Sequence, residues 1–271
     1  MSNYPNLPDT VRYKAVHVCE PSSNKPSGRR EERPVTLLSF ALGWLVLSGL
    51  GAGMVAVLVV GGLNRLGWLA WRDFEVDVAA LGLPLQQGLM VAGAVRRGWR
   101  VGVGDLRAGL GWLPMRRLWL VVALVGCALL LDAAQVGLWA VLPGVRDFLE
   151  RGAAAPEMAR PLARGGAYLL WFAATVAIGA PVAEELFFRG WLWVGLRRRW
   201  GAWGTGLTTG AMFLLMHGIG GEWRLLVTLA PVTVVLSLAR EFGGSVRASL
   251  AVHMVNNVVF AACLAVGWLT G

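Results

Sequence analysis

The chain has 271 residues, 56% of them hydrophobic and only 15% charged, with a mean hydropathy of +0.58. A soluble globular domain carries about 25% charged residues, so the composition excludes a water-soluble enzyme and indicates a polytopic membrane protein. The formal net charge of +9 comes from arginines in short segments between apolar spans, which is the positive-inside pattern and not a nucleic-acid footprint. The 14 Trp fit interfacial aromatic belts. The three Cys, at Cys19, Cys127 and Cys263, are scattered without a CxxC and offer no disulfide framework.

Residues 1–34 are polar and rich in Pro, Ser and charge, so a disordered cytoplasmic tail is expected there, without a visible signal peptide. His17 and Cys19 lie in this tail and read as solvated. Residues 35–63 carry no charge and can span a ~30 Å hydrocarbon core. A polar hairpin over 64–77 follows. The second span, 78–95, is weaker: Pro84 and the pair Gln86–Gln87 argue against a full crossing. Residues 96–117 read as a basic, Gly-rich loop with six arginines.

The third span, 118–142, carries Asp132 and Gln135 on one face at i, i+3. Asp132 reads either as a functional intramembrane group or as a hydrogen-bonding partner for a neighbouring helix, the second being preferred. Residues 144–166 form a mixed-charge loop with room for a short interfacial helix. The fourth span covers 167–196, the fifth about 204–218 and the sixth about 225–238, interrupted by Pro231. A turn over 240–247 leads to the seventh, 248–269. Placing the N-terminus inside puts most of the 25 Lys and Arg on the cytoplasmic side. The expected fold is thus an all-α transmembrane bundle of about seven spans, N-terminus in and C-terminus out. It divides into the tail (1–34), a variable N-terminal membrane region (35–166) and a C-terminal membrane core (167–271).

The fourth span holds Glu184, Glu185 and Arg189 in an otherwise apolar run. One charge at the centre of a bilayer helix costs ~2.5–3.5 kcal/mol on the lenient scales, and three in six residues are more than a plain anchor would carry. At α-helical spacing Glu185 and Arg189 share a face and neutralise each other. Glu184 points about 100° away and is left as the chemical group. His217 on the fifth span, and His253 with Asn257 one turn apart on the seventh, fall at compatible depths. A carboxylate and an imidazole can hold and deprotonate a water; a second His and an Asn amide suit an oxyanion. No Ser or Cys nucleophile is convincing, because Ser249 and Cys263 have no evident base within helical reach. Zinc held by Glu184, His217 and His253 is the alternative, although HExxH is missing; the residues alone leave that choice open.

Three motifs stand in order: E-E-x-x-x-R at 184–189, F-x-x-x-H at 213–217 and H-x-x-x-N at 253–257. Together they resemble the CPBP (or Abi) family, the CAAX prenyl proteases and bacteriocin-processing proteins, with the resemblance running over residues 171–260. It implies an intramembrane endopeptidase in which Glu184 and His217 activate water, and His253 and Asn257 stabilise the oxyanion. Glu185, Arg189 and Phe213 would support the site, in an all-helical bundle with a cavity open to cytosol and lipid. It further implies a glutamate-type mechanism with no metal or other cofactor. The expected partners are the bilayer and a membrane-embedded or membrane-associated protein or peptide, not nucleic acid. Such substrates include C-terminal signals and leader peptides, and a role in bacteriocin immunity also falls within the family. The Gly/Ala/Arg/Trp-rich composition points to a bacterial cytoplasmic membrane and makes a prenylated substrate the less expected one. Two non-proteolytic readings compete: a scaffold that binds transmembrane segments, and an ion-coupled transporter, which the lack of an inverted repeat disfavours.

Overall fold

The computed structural model describes residues 33–70, 73–141, 166–218 and 223–270, and every regular element among them is helical. The N-terminal tail, apart from its last residues, and the expected interfacial helix before 166 lie outside the described residues. The long helices are α1 (Pro34–Arg65), α2 (Phe74–Val101), α4 (Leu118–Val141), α5 (Gly166–Arg197), α6 (Ala202–Gly218), α7 (Trp223–Gly243) and α8 (Val246–Thr270). A single turn, α3 (Leu106–Gly109), lies between α2 and α4. Six of the helices are long and apolar enough to cross a membrane. The seventh, α6, has 17 residues, or ~26 Å at 1.5 Å per residue. The protein is an integral, multi-pass helical bundle.

Two expectations are corrected. The second span is a continuous helix of 28 residues despite Pro84. Proline removes one backbone donor, which at α-helical spacing orphans the carbonyl of Ala80. The indole Nε1 of Trp171, on α5, donates to that carbonyl at 3.0 Å, the repair by a neighbouring helix that membrane proteins use. Helices also consume part of the expected loop over 96–117 and most of the turn over 240–247. α2 runs to Val101 and α7 to Gly243, so the turn before α8 contracts to Gly244 and Ser245.

α5 is the central helix. Its buried Phe187, Phe188, Trp191, Leu192 and Leu196 join Leu37 and Leu45 of α1, Met90 of α2 and Phe213 of α6 in one core. A second core forms where α4 meets α7 and α8, around Val121, Ala128, Leu236 and Val252. Leu47, Leu50 and Leu58 on α1, with Val122 and Leu130 on α4, stay exposed. Such apolar outer faces are what a bilayer solvates.

One end of the bundle gathers the arginines. Arg198 donates to the carbonyl of Val101 at 2.6 Å, and Arg197 pairs with Glu241 at 2.9 Å, tying the ends of α2, α5 and α7 together. Ser245 donates to the carbonyl of Leu113 at 2.6 Å, and the N–H of Val246 to that of Gly111, adding the start of α8. At the opposite end of α2, Asp77 accepts from the Tyr168 hydroxyl at 2.6 Å. The helices therefore alternate in direction, as the expected topology requires.

Candidate active site

α5 is not a regular helix where the chemistry lies. Residues Thr175–Gly179 and Glu185–Leu192 are π-helical, with Gly190 at non-helical φ −82°, ψ −109°. π-helical turns inside longer helices recur at functional sites. The N–H of Ala180 bonds the carbonyl five residues back, at Thr175. In that register the next donor would come from Pro181, which has none, and the carbonyl of Val176 is left over. Asn257, from α8, donates its Nδ2–H to this carbonyl at 2.9 Å. From the other side, Gln87 on α2 donates to the carbonyl of Thr175 at 3.2 Å.

The acidic pair is buried, Glu185 completely and Glu184 to 8% exposure. Glu185 Oε1 accepts from Arg189 Nη1 at 3.1 Å, both side chains being fully buried. The same oxygen accepts from His253 Nδ1 at 2.9 Å. The other ring nitrogen, His253 Nε2, lies 3.7 Å from Glu184 Oε2. The expected i, i+4 pair of Glu185 with Arg189 is present, and His253 bridges the two carboxylates through its two ring nitrogens.

His217 approaches Glu184 from α6, with Nε2 at 4.0 Å from Oε1. Its Nδ1 lies 2.9 Å from the carbonyl oxygen of Phe213. A carbonyl can only accept, so Nδ1 carries a proton, and Nε2 is the ring nitrogen that faces Glu184. The F-x-x-x-H spacing is the distance over which an imidazole reaches back one turn to a carbonyl on its own helix. The Phe213 ring, 1% exposed, lies under the Arg189 guanidinium at 4.6 Å and against His217 at 4.5 Å between ring centroids. It also meets His253 edge-on at 5.9 Å. One phenyl ring thus touches three of the charged or ionisable groups.

Glu184, Glu185, Arg189, Phe213, His217 and His253 are therefore brought together, while Asn257 reaches α5 through its backbone. Asp132 is half-buried on α4, and none of the hydrogen bonds or ion pairs of this cluster among the described residues includes it. Ser249 donates to the carbonyl of Val246 on its own helix at 3.2 Å. Cys127 and Cys263 are exposed free thiols. No set of three His, Cys, Asp or Glu among the described residues is arranged as metal ligands. Sequence reasoning missed Gln87 and Arg240, which bind α5 through its backbone; Pro181 was the legible signal that a carbonyl there needed an outside donor.

An all-helical bundle enclosing a carboxylate faced by two imidazoles defines the class as a multi-pass membrane protein with a buried polar site. Residues 166–259 match the family model described as type II CAAX prenyl endopeptidase Rce1-like. Over that segment, from the start of α5 to the middle of α8, the chain is similar to this family of peptidases, in agreement with the resemblance of the three motifs. No curated protein and no solved structure gives a significant match.

Proposed function

We propose that this protein is a glutamate-type intramembrane endopeptidase that hydrolyses a peptide bond of a membrane-associated protein or peptide by direct attack of water. The observation that carries the reading is Glu184 facing the Nε2 atoms of His217 and His253, at 4.0 and 3.7 Å, inside an otherwise apolar core. A water held between Glu184 and His217 Nε2 gives its proton to the carboxylate as its oxygen attacks the scissile carbonyl. The protonated Glu184 then passes that proton to the leaving amine as the C–N bond breaks, so one water is consumed and no acyl-enzyme forms.

The oxyanion would be met by two donors. Asn257 Nδ2 carries two hydrogens, and its bond to Val176 uses only one. His253 already donates from Nδ1 to Glu185, so it can donate from Nε2 only when doubly protonated, a state in which it pairs with both carboxylates. Preorganised donors of this kind are worth ~2.7–4 kcal/mol each in acyl-transfer enzymes.

The reading includes no metal: every step is assigned to a side chain. We further place the arginine-rich end of the bundle at the cytoplasmic surface of a bacterial membrane by the positive-inside rule. The substrate's cleaved segment would reach Glu184 within the bilayer. C-terminal signals and leader peptides fit this setting, and a prenylated C-terminus is the case named by the matched family.

The test compares protein termini in host membranes carrying wild-type protein or Glu184→Gln at matched levels. A discrete set of termini present with wild type and missing with the variant identifies the substrates and the bond. If no terminus differs and Glu184→Gln rescues a deletion phenotype, the protein is a non-catalytic binder of membrane segments.

A further inference from the structure

We propose that Arg240 is a positioning residue for the glutamate helix, holding the backbone of α5 immediately behind the E-E-x-x-x-R segment. The inference rests on the endopeptidase reading for its effect on activity, but not for its effect on the helix.

At Gly190 the helical register of α5 breaks, and the N–H of Trp193 bonds the carbonyls of Phe188 and Gly190. It passes over the carbonyl of Arg189, the acceptor it would take in an α-helix. That carbonyl belongs to the residue that neutralises Glu185, and it lies in the protein interior, where an unmet acceptor is costly. Arg240, in the last turn of α7, supplies the donor: its Nε lies 2.7 Å from the Arg189 oxygen.

Arg240 is held for this task. It is 7% exposed, and its guanidinium lies 5.7 Å from the Trp193 ring centroid. Its far nitrogen packs over Gly111, a position with φ +61° where an added Cβ would collide with it. Gly111 is itself pinned, because its carbonyl accepts from the Val246 N–H at 3.0 Å. The guanidinium from the end of α7 therefore packs on the α3–α4 loop, which the start of α8 holds in place, and bonds the backbone of α5.

Geometrically this completes a pattern. Asn257 takes the carbonyl that Pro181 frees on one side of Glu184, and Arg240 takes the one freed at Gly190 on the other. The two carboxylates sit between these fixed points, and the register that lets His253 reach both of them is held at each end. Misplacing a catalytic group by ~1 Å can cost ~10²-fold in rate, so loss of either fixed point should reach the chemistry.

The experiment uses the full chain in lipid nanodiscs, as wild type, Arg240→Gln and Arg240→Lys. Amide hydrogen exchange is followed across residues 188–196, alongside the thermal unfolding temperature and the abundance of Glu184-dependent termini in host membranes. Arg240→Gln should still unfold cooperatively, at a temperature lowered by one unmet buried acceptor, exchange at least ~10-fold faster across that segment, and lose ~10-fold or more of the termini. Arg240→Lys, whose ammonium can donate to the same carbonyl, should recover part of both. An Arg240→Gln protein that exchanges like wild type overturns the proposal, as does one that exchanges faster yet cleaves normally. If Arg240→Gln does not accumulate, Arg240→Lys decides: intermediate exchange with intermediate cleavage supports the role, and wild-type exchange with lost cleavage overturns it. If wild type yields no Glu184-dependent termini, the endopeptidase reading falls, and the exchange result alone upholds or overturns the hold on α5.

Discussion

His253 donates from Nδ1 to Glu185 Oε1 at 2.9 Å, and this bond fixes which ring nitrogen faces Glu184. Glu185 already accepts from Arg189, so a charge pair is turned into an orienting device for a neighbouring imidazole. A buried ion pair contributes little net stability by itself. Its use here is geometric: it sets a histidine against the carboxylate next in sequence.

The first prediction separates the two carboxylates. Among the described residues the ion-pair partners of Glu184 are two imidazoles, at 3.7 and 4.0 Å, and no arginine or lysine. Glu184→Gln should therefore unfold within ~1 kcal/mol of wild type, or later, as active-site replacements often do. Cleavage should fall by ~10²–10⁴-fold, the range for a lost general base. Glu185→Gln should instead lower folded protein and activity together, because Arg189 loses its counter-charge. Denaturation in detergent and counting of termini check both. Equal loss of stability in the two variants would remove the distinction.

Breaking the pair from the other side gives the second prediction. Arg189→Ala strands the fully buried Glu185 carboxylate, and breaking buried pairs costs ~3–5 kcal/mol. It also takes a cation from above the Phe213 ring. Steady-state membrane levels should drop sharply, and the double variant Glu185→Gln/Arg189→Met should recover much of the loss without activity. If Arg189→Ala accumulates like wild type but does not cleave, Arg189 acts in the reaction and its structural assignment is wrong.

The third prediction concerns metal. Zinc bonds of 2.0–2.2 Å in a tetrahedron set ligand atoms about 3.3–3.6 Å apart. The Nε2 atoms of His217 and His253 stand 4.0 and 3.7 Å from the Glu184 oxygens, a spacing wider than that. Purified protein treated with a strong zinc chelator, then freed of it, should cleave at the untreated rate. Loss of cleavage restored by added zinc would reinstate the metal alternative.

Much of this was legible in the sequence, for one physical reason: the bilayer penalises stray charge and polar groups, so Glu184, Arg189, His217 and His253 stood out against an apolar background. The apolar spans were legible too, because span length is set by the hydrocarbon thickness. What could not be read was backbone register. Pro84 looked like a helix breaker, yet Trp171 satisfies the carbonyl it frees, and that donor lies 87 residues downstream. The π-helical turns of α5 depend similarly on Gln87, Asn257 and Arg240 from three other helices. Spacing within one segment carries no trace of such partners. Arg240 itself was read as part of a turn, because a charged Arg-Glu pair before two glycines looks like a helix end.

The last prediction isolates what Asn257 does for the helix from what it does for the reaction. In the single variant Asn257→Ala the Val176 carbonyl loses its donor, and a buried unmet acceptor costs ~1–3 kcal/mol. Pro181→Ala supplies a backbone N–H at the position where the π register calls for one. In the double variant this N–H can take the Val176 carbonyl, so the stability lost in Asn257→Ala should be largely restored. Cleavage should not return, because the second Nδ2 hydrogen assigned to the oxyanion is still missing. A double-mutant cycle in unfolding free energy and in cleavage rate reads both quantities. Coupling in stability with none in rate is the expected result. Recovery of cleavage in the double variant would show that Asn257 serves only the helix, and the oxyanion would then need another donor.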